Sequence, residues 1–345
     1  VTAFEIDLFG RVRSLTGAAL NRYFETEAAA RATRVTLVGD VAQAWLNHAA
    51  DRSLLAIAQQ TAASAQESVR LIQARLQGGV APRTDLLQAQ QILETARADV
   101  AQQTTLLAQD VNLLQLLVGV PIREEMLPTS IDAVQDMVAA LPAGLDSTIL
   151  LRRPDVVQAE YELRAANAEI GVARAELFPR LSLTGALGFA STALSSLFSG
   201  GAFNYSISPT VSYSIFRAGA ARAGVAYSQA QRDAALAAYE RAIQTAFREA
   251  ADALAREGTI DEQVRANRTF AQAASQANQL VAAQYRGGIQ PYLSSLDAQR
   301  QLYAAQRTLV QTQLASAVNR VTLYRVLGGD ASVEATANGP VPARP

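Results

Sequence analysis

The residues of this sequence that could do chemistry are few. It contains one histidine, His48, and no cysteine, so it offers neither a thiolate metal site nor a disulfide framework. His48 lies near Trp45 in an alanine-rich stretch with helical spacing, without the clustered carboxylates that a metal centre or a catalytic triad needs. A hydrolase or metalloenzyme therefore finds no candidate residues here, and we expect no catalytic, cofactor or metal site.

Charge and composition narrow the class of protein further. The formal net charge is −1 and the pI is near 6.0. The chain therefore lacks the excess of positive charge that is typical of nucleic-acid-binding proteins. Hydrophobic residues make up 50% of the chain but aromatic residues only 6%. Because small side chains let helices pack at close range, we expect long helices in thin layers and not a thick globular core.

The helical pattern is broken at two places that repeat each other. The segment 78–82, Gly-Gly-Val-Ala-Pro, recurs at 287–291 as Gly-Gly-Ile-Gln-Pro, and the same ungapped shift aligns Leu93 with Leu302. Each break lies between two long Ala/Gln/Leu-rich segments and contains residues that cannot continue a helix. The pattern predicts two helical hairpins, with tips at equivalent places in two homologous halves.

The helices that form these hairpins are unusually long. Helical spacing extends almost unbroken from residue 11 to 77 and from residue 219 to 286. At ~1.5 Å per residue each run would reach roughly 100 Å, far too long for a globular helix. Return helices are predicted over 83–117 and 292–327, and a shorter helix over 154–178.

Strict alternation of apolar and small polar residues predicts strands over 180–190 and 205–216, and a third over 2–9. Each of the first two has about 10 residues, the length of a membrane-crossing strand with its polar side toward a lumen. A soluble, half-buried hairpin is the alternative, but a lone hairpin is unstable in water. The side chains expected to line the lumen are Glu5, Asp7, Ser206, Ser208, Thr210, Ser212 and Ser214.

So few strands cannot close a membrane barrel, whose smallest form needs about eight. Open edges are excluded in lipid, because each unpaired backbone group costs several kcal/mol there. We therefore expect several chains to close one barrel. The strand pattern also begins at the very start of the sequence, so we expect an N-terminal portion to be missing from it.

Six segments of the sequence, taken in order, resemble the outer-membrane efflux duct family of TolC, and most closely its OprM-type (NodT-like) RND efflux lipoprotein branch. The segments are EIDLFGRVRS (5–14), LLRRPDVVQAE (150–160), FPRLSLTG (178–185), YSIFRAGAARA (213–223), YRGGIQPYLSSLDAQRQLY (285–303) and VTLYRVLGG (321–329). The resemblance covers essentially all of residues 1–329.

The resemblance implies a mainly α fold with a membrane β-barrel portion. In such a TolC-like α/β-barrel, three copies of the chain form one barrel in the outer membrane of a Gram-negative bacterium, continuous with a helical tube in the periplasm. A signal peptide, a lipid-bearing Cys in many members, and a first helix and strand are also implied but absent from this sequence. The implied organisation is a first repeat (1–118), an equatorial connector (119–153), a second repeat (154–329) and a disordered tail (330–345).

The function implied is that of a passive exit duct in a tripartite efflux system, opened when a periplasmic adaptor and an inner-membrane pump of the RND type dock. An exit duct of type I protein secretion is one alternative, and a soluble periplasmic coiled-coil scaffold is another. The resemblance assigns adaptor docking to the tip residues Gly78, Gly79, Val80, Pro82, Gly287, Gly288, Ile289 and Pro291. A bulky residue at Gly78 or Gly287, where the chain reverses, is expected to disturb the turn and the docking.

The resemblance also places a periplasmic aperture gate at Leu293, Asp297 and Arg300. Their spacings of four and three put the three side chains on one face of a helix. The alternative is an ordinary solvated Asp–Arg pair, which contributes little to stability.

Overall fold

The computed structural model describes residues 2–134, 147–190, 192, 194–198, 201–328, 333–334 and 341–342. Its α-helices are α1 (Arg11–Gln77), α2 (Arg83–Val118), α3 (Ile131–Val134), α4 (Pro154–Ala175), α5 (Ala220–Arg286) and α6 (Tyr292–Val326). Its strands are β1 (Thr2–Ile6), β2 (Arg180–Phe189), β3 (Phe203–Ser212), β4 (Val333–Glu334) and β5 (Val341–Pro342). Short 3-10 helices lie at Glu124–Met126, Ser147–Arg152 and Leu194–Ser196. The four long helices begin and end within one residue of the predicted bounds.

The described residues group into two compact units. The strand unit comprises Val1–Ala32, Ser147–Phe247 and Asp330–Pro345, and the tip unit comprises Thr33–Asp146 and Arg248–Gly329. The division passes through α1 and α5 and thus does not coincide with the two sequence repeats.

Within the described parts of both units, no helix is both long enough and apolar enough to cross a membrane.

A three-stranded antiparallel sheet in the strand unit has one polar and one apolar face. The strand order is β1-β2-β3, and the register places Glu5 opposite Ser182 and Ser182 opposite Thr210. Residues directly opposite each other put their side chains on the same face, so these three share the polar face. Their sequence neighbours Ile6, Leu181 and Val211 are likewise aligned on the apolar face. The predicted two-faced strands are confirmed.

The strand ends differ from the prediction. β3 begins at Phe203 and ends at Ser212. The prediction that Ser214 is a strand residue is therefore wrong. Ser212 lies opposite Arg180, the first residue of β2, and the preceding Pro179 has no N–H to extend the ladder. The row of polar side chains therefore ends where β3 stops pairing with β2, although the alternation of apolar and polar residues continues beyond that point.

Asp7 is also not a strand residue, because β1 ends at Ile6. The Asp7 carboxylate accepts hydrogen bonds from the backbone N–H groups of Val12 (3.0 Å) and Arg13 (2.9 Å). These are among the N–H groups that a helix leaves unpaired in its first turn. Asp7 thus caps α1, a structural role that the alternating pattern did not indicate.

Close helix packing in the strand unit depends on small residues, as the composition suggested. A Cβ atom added at Gly171 of α4 would come within 2.5 Å of the Ser14 hydroxyl of α1. Farther along, Ala28 of α1 and Val157 of α4 are buried against each other. α4 ends at Ala175, three residues before the predicted end, and Phe178 beyond it stacks on Phe9 with ring centroids 4.5 Å apart.

The first part of the connector, residues 119–134, is tied to the helices of the tip unit. The Trp45 indole N–H donates to the carbonyl of Met126 (2.9 Å), and the backbone N–H of Ile131 donates to the Ser53 hydroxyl (2.9 Å). Ile131 and Val134 of α3 are buried in one cluster with Leu46 and Val310. Residues 135–146 of the predicted connector lie outside the described residues.

The C-terminal segment predicted to be disordered contains a short strand pair. Val333 lies opposite Pro342 and Glu334 opposite Val341, in antiparallel register. These four residues are paired in the structure, and disorder of the tail stays a prediction. The rest of 330–345 lies outside the described residues.

Candidate docking tips and aperture

The two predicted tips have the same backbone geometry. At the first, Gly79 adopts φ +74° and the Val80 N–H donates to the carbonyl of Arg75 (2.9 Å). At the second, Gly288 also adopts φ +74° and the Ile289 N–H donates to the carbonyl of Gln284 (2.9 Å). Both are Schellman caps, in which a left-handed residue ends the helix and the next N–H reaches back over five residues.

In each tip, the turn requires the second glycine of the pair and not the first, as had been expected from the sequence. Gly78 and Gly287, expected to be the sensitive positions, do not have positive φ. A Cβ atom at Gly287 would approach the carbonyl of Ala283 to 3.5 Å, an ordinary contact. Of the four tip glycines, only Gly79 and Gly288 occupy the left-handed region that disfavours other residues, so the backbone strain of a substitution falls on them.

Each tip presents an exposed apolar residue. The side chains of Val80 and Ile289 both remain 76% exposed. An apolar residue at this position of a Schellman cap frequently packs back on its own helix, which neither does here. Pro82 and Pro291 follow in extended conformation and lead into α2 and α6 without a side-chain cap.

An aromatic cluster that the sequence analysis missed lies beside the second tip. The rings of Tyr285 and Tyr292 are 5.4 Å apart, and the guanidinium of Arg75 lies 4.7 Å from the Tyr285 ring centre. Tyr292 is buried with Ile72 and Leu93, and its burial raises the pKa of its hydroxyl to about 12. The ends of α1 and α5 and the start of α6 are therefore held together. The sequence feature that could have indicated this cluster is the pair of tyrosines on either side of the second tip, 287–291.

The three predicted aperture residues lie on one exposed face of α6. Leu293, Asp297 and Arg300 are exposed, whereas Tyr292 and Leu296 face the buried cluster. Within the described part of the chain, neither Asp297 nor Arg300 has an ion-pair or hydrogen-bond partner for its side chain. The Asp–Arg surface pair that the spacing allowed is thus not formed inside one chain.

A polar contact joins the two hairpins farther along α6, on the C-terminal side of the predicted aperture residues. The Tyr303 hydroxyl donates a hydrogen bond to the Asp99 carboxylate of α2, and an Arg307 Nη lies 3.6 Å from the same oxygen. The Asp99 side chain is only 18% exposed. Burial, then the hydrogen bond and charge of Asp99, raises the pKa of Tyr303 to about 12. These partners are too far apart in sequence for spacing to have indicated the contact.

The predicted lumen residues divide into two groups. Ser206, Ser208, Thr210 and Ser212 lie exposed on the polar face of the sheet, where their exposure to a lumen stays a prediction. Glu5 lies on the same face, but its carboxylate accepts a hydrogen bond from Arg11 Nε (2.8 Å). Glu5 and Asp7 therefore both serve the junction between β1 and α1.

The single histidine lies at a cavity of about 420 Å³ lined also by Arg52 and Leu107. His48 is buried, and its Nδ1 has no hydrogen-bond partner among the described residues. Burial, and after it the charge of Arg52, lowers the pKa of the imidazole. Among the residues that the structure describes, no three His, Cys, Asp or Glu side chains are placed to hold a metal ion.

Two carboxyl groups, Asp51 of α1 and Asp110 of α2, share one site in the tip unit. Burial, and then the charge of Asp51, raises the pKa of Asp110 from 3.8 to about 7. The folded protein therefore holds a proton that the unfolded chain releases at lower pH. The stability that this proton confers is complete below about pH 4 and is lost as the pH rises through about 7.

Asp110→Asn is accordingly expected to raise the apparent unfolding temperature at pH 8 by ~2–4 °C relative to wild type, with a smaller difference at pH 4. Thermal unfolding followed by circular dichroism over this pH range measures it. Asp252→Asn, at an exposed carboxylate, is the matched control and should leave the profile unchanged. Both variants keep His48, whose contribution to stability changes with pH in the opposite direction to that of Asp110. This contribution is the same in all three proteins and cancels in the comparison. Parallel profiles for Asp110→Asn and wild type would contradict the shared proton.

Comparison with solved structures identifies the class of protein that these hairpins and strands form. The chain is similar to the open-state MtrE outer membrane channel of Neisseria gonorrhoeae, with a TM-score of 0.85 and 35% identity over 94% of this chain and 73% of that one. The structural neighbours are TolC-like channels.

The family model described as "Outer membrane efflux protein" matches residues 2–120 and 145–329, and the chain belongs to that family. It is 42% identical over 333 residues to the solvent efflux pump outer membrane protein SrpC of Pseudomonas putida, covering 96% of this chain and 71% of SrpC. It is 40% identical over 326 residues to the outer membrane protein OprJ of Pseudomonas aeruginosa, covering 94% and 68%. The protein is thus an outer membrane efflux protein of the kind found in Gram-negative bacteria.

Proposed function

We propose that this protein is the passive exit duct of a tripartite efflux pump, opened when a periplasmic adaptor and an inner-membrane pump of the RND type dock at its tips. The observation that carries this proposal is the pair of matching tips. Both end in the same Schellman cap, and both leave an apolar side chain, Val80 or Ile289, exposed to the same extent. Exposed apolar groups at corresponding places are suited to one partner that engages both tips.

The chain acts as a homotrimer in this proposal. In the described residues, β1 and β3 each pair on one side only and leave an open sheet edge. Lipid excludes such edges, so strands outside the described residues must pair with them, and neighbouring copies of the chain together close one barrel. Transport uses no reaction of the duct itself and no cofactor.

The apolar face of the sheet argues against a soluble scaffold. Leu187 and Tyr205 are opposite each other on this face, and both are largely exposed. Exposed apolar area of this kind is stable against lipid and unstable in water. The duct is therefore released from membranes only by detergent, whereas a scaffold appears in the aqueous fraction.

Docking is tested by cross-linking in cells, because a chain without cysteine allows unique labelling. Val80→Cys and Ile289→Cys, each modified with a thiol-directed photo-cross-linker, are expected to capture the adaptor. Leu116→Cys is the matched control, since Leu116 is 77% exposed and lies at the other end of α2 from the tip. Equal capture from position 116, or no adaptor captured from either tip, would refute docking at the tips.

A further inference from the structure

A recess in the strand unit lies where the sheet ends and α5 begins. Its volume is about 500 Å³, and it is lined by residues 212–219, by the first turn of α5 and by the segment that joins α4 to β2. Three arginines line it, namely Arg180 of β2, Arg217 and Arg222. We call this cavity the junction recess.

Two of the three arginines carry charges that the described residues do not neutralise. Arg180 pairs with Glu176 (3.1 Å), and Glu176 is the only acidic residue among the described residues that line the junction recess. The side chains of Arg217 and Arg222 are exposed and have no hydrogen-bond or ion-pair partner in the described part of the chain. The junction recess therefore presents an excess of positive charge to its surroundings.

The equivalent junction in the first repeat has no such excess. The shift that aligns the two tips also aligns residues 4–14 with 213–223, and both segments contain a glycine with positive φ, Gly10 and Gly219. Residues 4–14 contain two acids and two arginines, whereas 213–223 contain two arginines and no acid. Serine and phenylalanine stand in the places of Glu5 and Asp7. The positive charge is thus particular to the second repeat and is not required by the architecture that both repeats share.

Exposed apolar side chains accompany the two unpaired arginines. Ile215 and Phe216 are 93% and 86% exposed, and Phe178, which also lines the junction recess, is exposed as well. Exposed apolar clusters are unfavourable in water, and aromatic side chains are enriched where lipid meets water. Arginines at such a boundary can bind phosphate groups while the apolar side chains beside them contact acyl chains.

The place of the junction recess in the chain puts it at one face of the membrane. β2 and β3 each have 10 residues, enough to cross the apolar band of an outer membrane once. The recess begins at Ser212, where β3 ends, and extends to Arg222 in the first turn of α5. It therefore lies level with the lipid headgroups on the side of the helices. The family places this protein in the outer membrane, whose periplasmic leaflet consists of glycerophospholipids.

We propose that the junction recess binds an anionic glycerophospholipid of the periplasmic leaflet, with Arg217 and Arg222 on its phosphate and Ile215 and Phe216 against its acyl chains. A zwitterionic lipid carries a cation of its own beside the phosphate, so it gains less from two unpaired arginines. The inference goes beyond the proposed efflux function, because it needs the strands to cross the membrane but needs no adaptor, pump or open aperture. A lipid bound here holds the junction between β3 and α5 at the membrane surface.

Lipid retention by the purified trimer tests this site. Protein extracted from outer membranes in a neutral detergent is titrated with equal amounts of phosphatidylglycerol and phosphatidylcholine, and native mass spectrometry counts the lipids that stay bound. We expect phosphatidylglycerol to be retained in preference. Arg217→Gln with Arg222→Gln should raise the phosphatidylglycerol concentration for half-saturation roughly thirtyfold, since each arginine near an anionic headgroup contributes about fivefold.

Two matched variants control for folding and for unspecific loss of charge. Arg217→Lys with Arg222→Lys keeps both charges and should retain most of the phosphatidylglycerol binding. Arg241→Gln with Arg248→Gln removes two exposed charges several turns farther along the same helix and should bind like wild type.

Three results would overturn the proposal. Equal retention of both lipids, or unchanged retention by the variant with glutamine at 217 and 222, would mean that the arginines do not select the lipid. Displacement of phosphatidylglycerol by an equal concentration of glycerol 3-phosphate would show a site for a free phosphate ester and not for a lipid. None of these measurements uses efflux, so they leave the proposed duct function unaffected.

Discussion

Asp297→Ala combined with Arg300→Ala is expected to raise the mean single-channel conductance several-fold over wild type. Both side chains are exposed and have no hydrogen-bond or ion-pair partner among the described residues of one chain, so in a trimer they are available to neighbouring copies. Exposed pairs contribute only ~0–1 kcal/mol each, but a symmetric ring repeats the contact three times and opening breaks all three together. Up to about 3 kcal/mol then holds the aperture shut, which corresponds to roughly a hundredfold bias.

Two further measurements sharpen this expectation. High salt should shift wild type in the same direction by screening, and Leu293→Ala should add to the effect by widening an apolar constriction. The control is Glu262→Ala with Arg265→Ala, which removes an exposed acid–arginine pair with the same spacing on α5. A double variant at 297 and 300 that stays as closed as this control would show that these residues are ordinary surface charges.

Gly288→Val is expected to reduce efflux by at least tenfold while trimer and membrane levels stay normal. Valine at φ +74° costs ~1–2 kcal/mol or more, because its branched Cβ clashes with the backbone in the left-handed region. The cap must then rearrange and Ile289 is displaced. Drug susceptibility of cells and capture of the adaptor from a cross-linker at the tip measure the two consequences.

The neighbouring glycine supplies the matched control for this prediction. Gly287→Val adds the same side chain one residue earlier, where φ is not positive and the space is open enough for a Cβ atom. It should retain most of the efflux, and Gly78→Val and Gly79→Val should repeat the difference at the first tip. Equal loss from both members of a pair would mean that size at the tip, and not backbone geometry, decides docking.

The sequence indicated the helices and tips well, because the signals there are local. Helical spacing over dozens of residues, ended by Gly-Gly and Pro, defined α1, α2, α5 and α6 to within one residue. The repeat predicted that the tips at 78–82 and 287–291 would be equivalent, and their hydrogen bonds agree. The stepwise spacing of Leu293, Asp297 and Arg300 also gave their common face correctly.

Features that depend on pairing between distant segments could not be predicted in this way. Alternation continues past Ser212, but the strand ends there because its partner begins at Arg180. Which glycine of a pair adopts positive φ follows from the carbonyls that accept the last N–H groups, not from the residue type. The contact between Asp99 and Tyr303 joins helices whose register is set by packing, so neither residue stands out in the sequence.

The most direct test of the central claim, an exit duct engaged through its tips, is dye accumulation in cells that lack their own efflux duct. These cells carry an adaptor and an RND pump of the Pseudomonas type and receive this protein, its Gly288→Val variant or no duct. We expect wild type to lower the steady-state accumulation of a fluorescent pump substrate several-fold, and the variant to resemble the cells without a duct. Accumulation that is the same with and without the wild-type protein, at normal trimer levels in the outer membrane, would contradict the account.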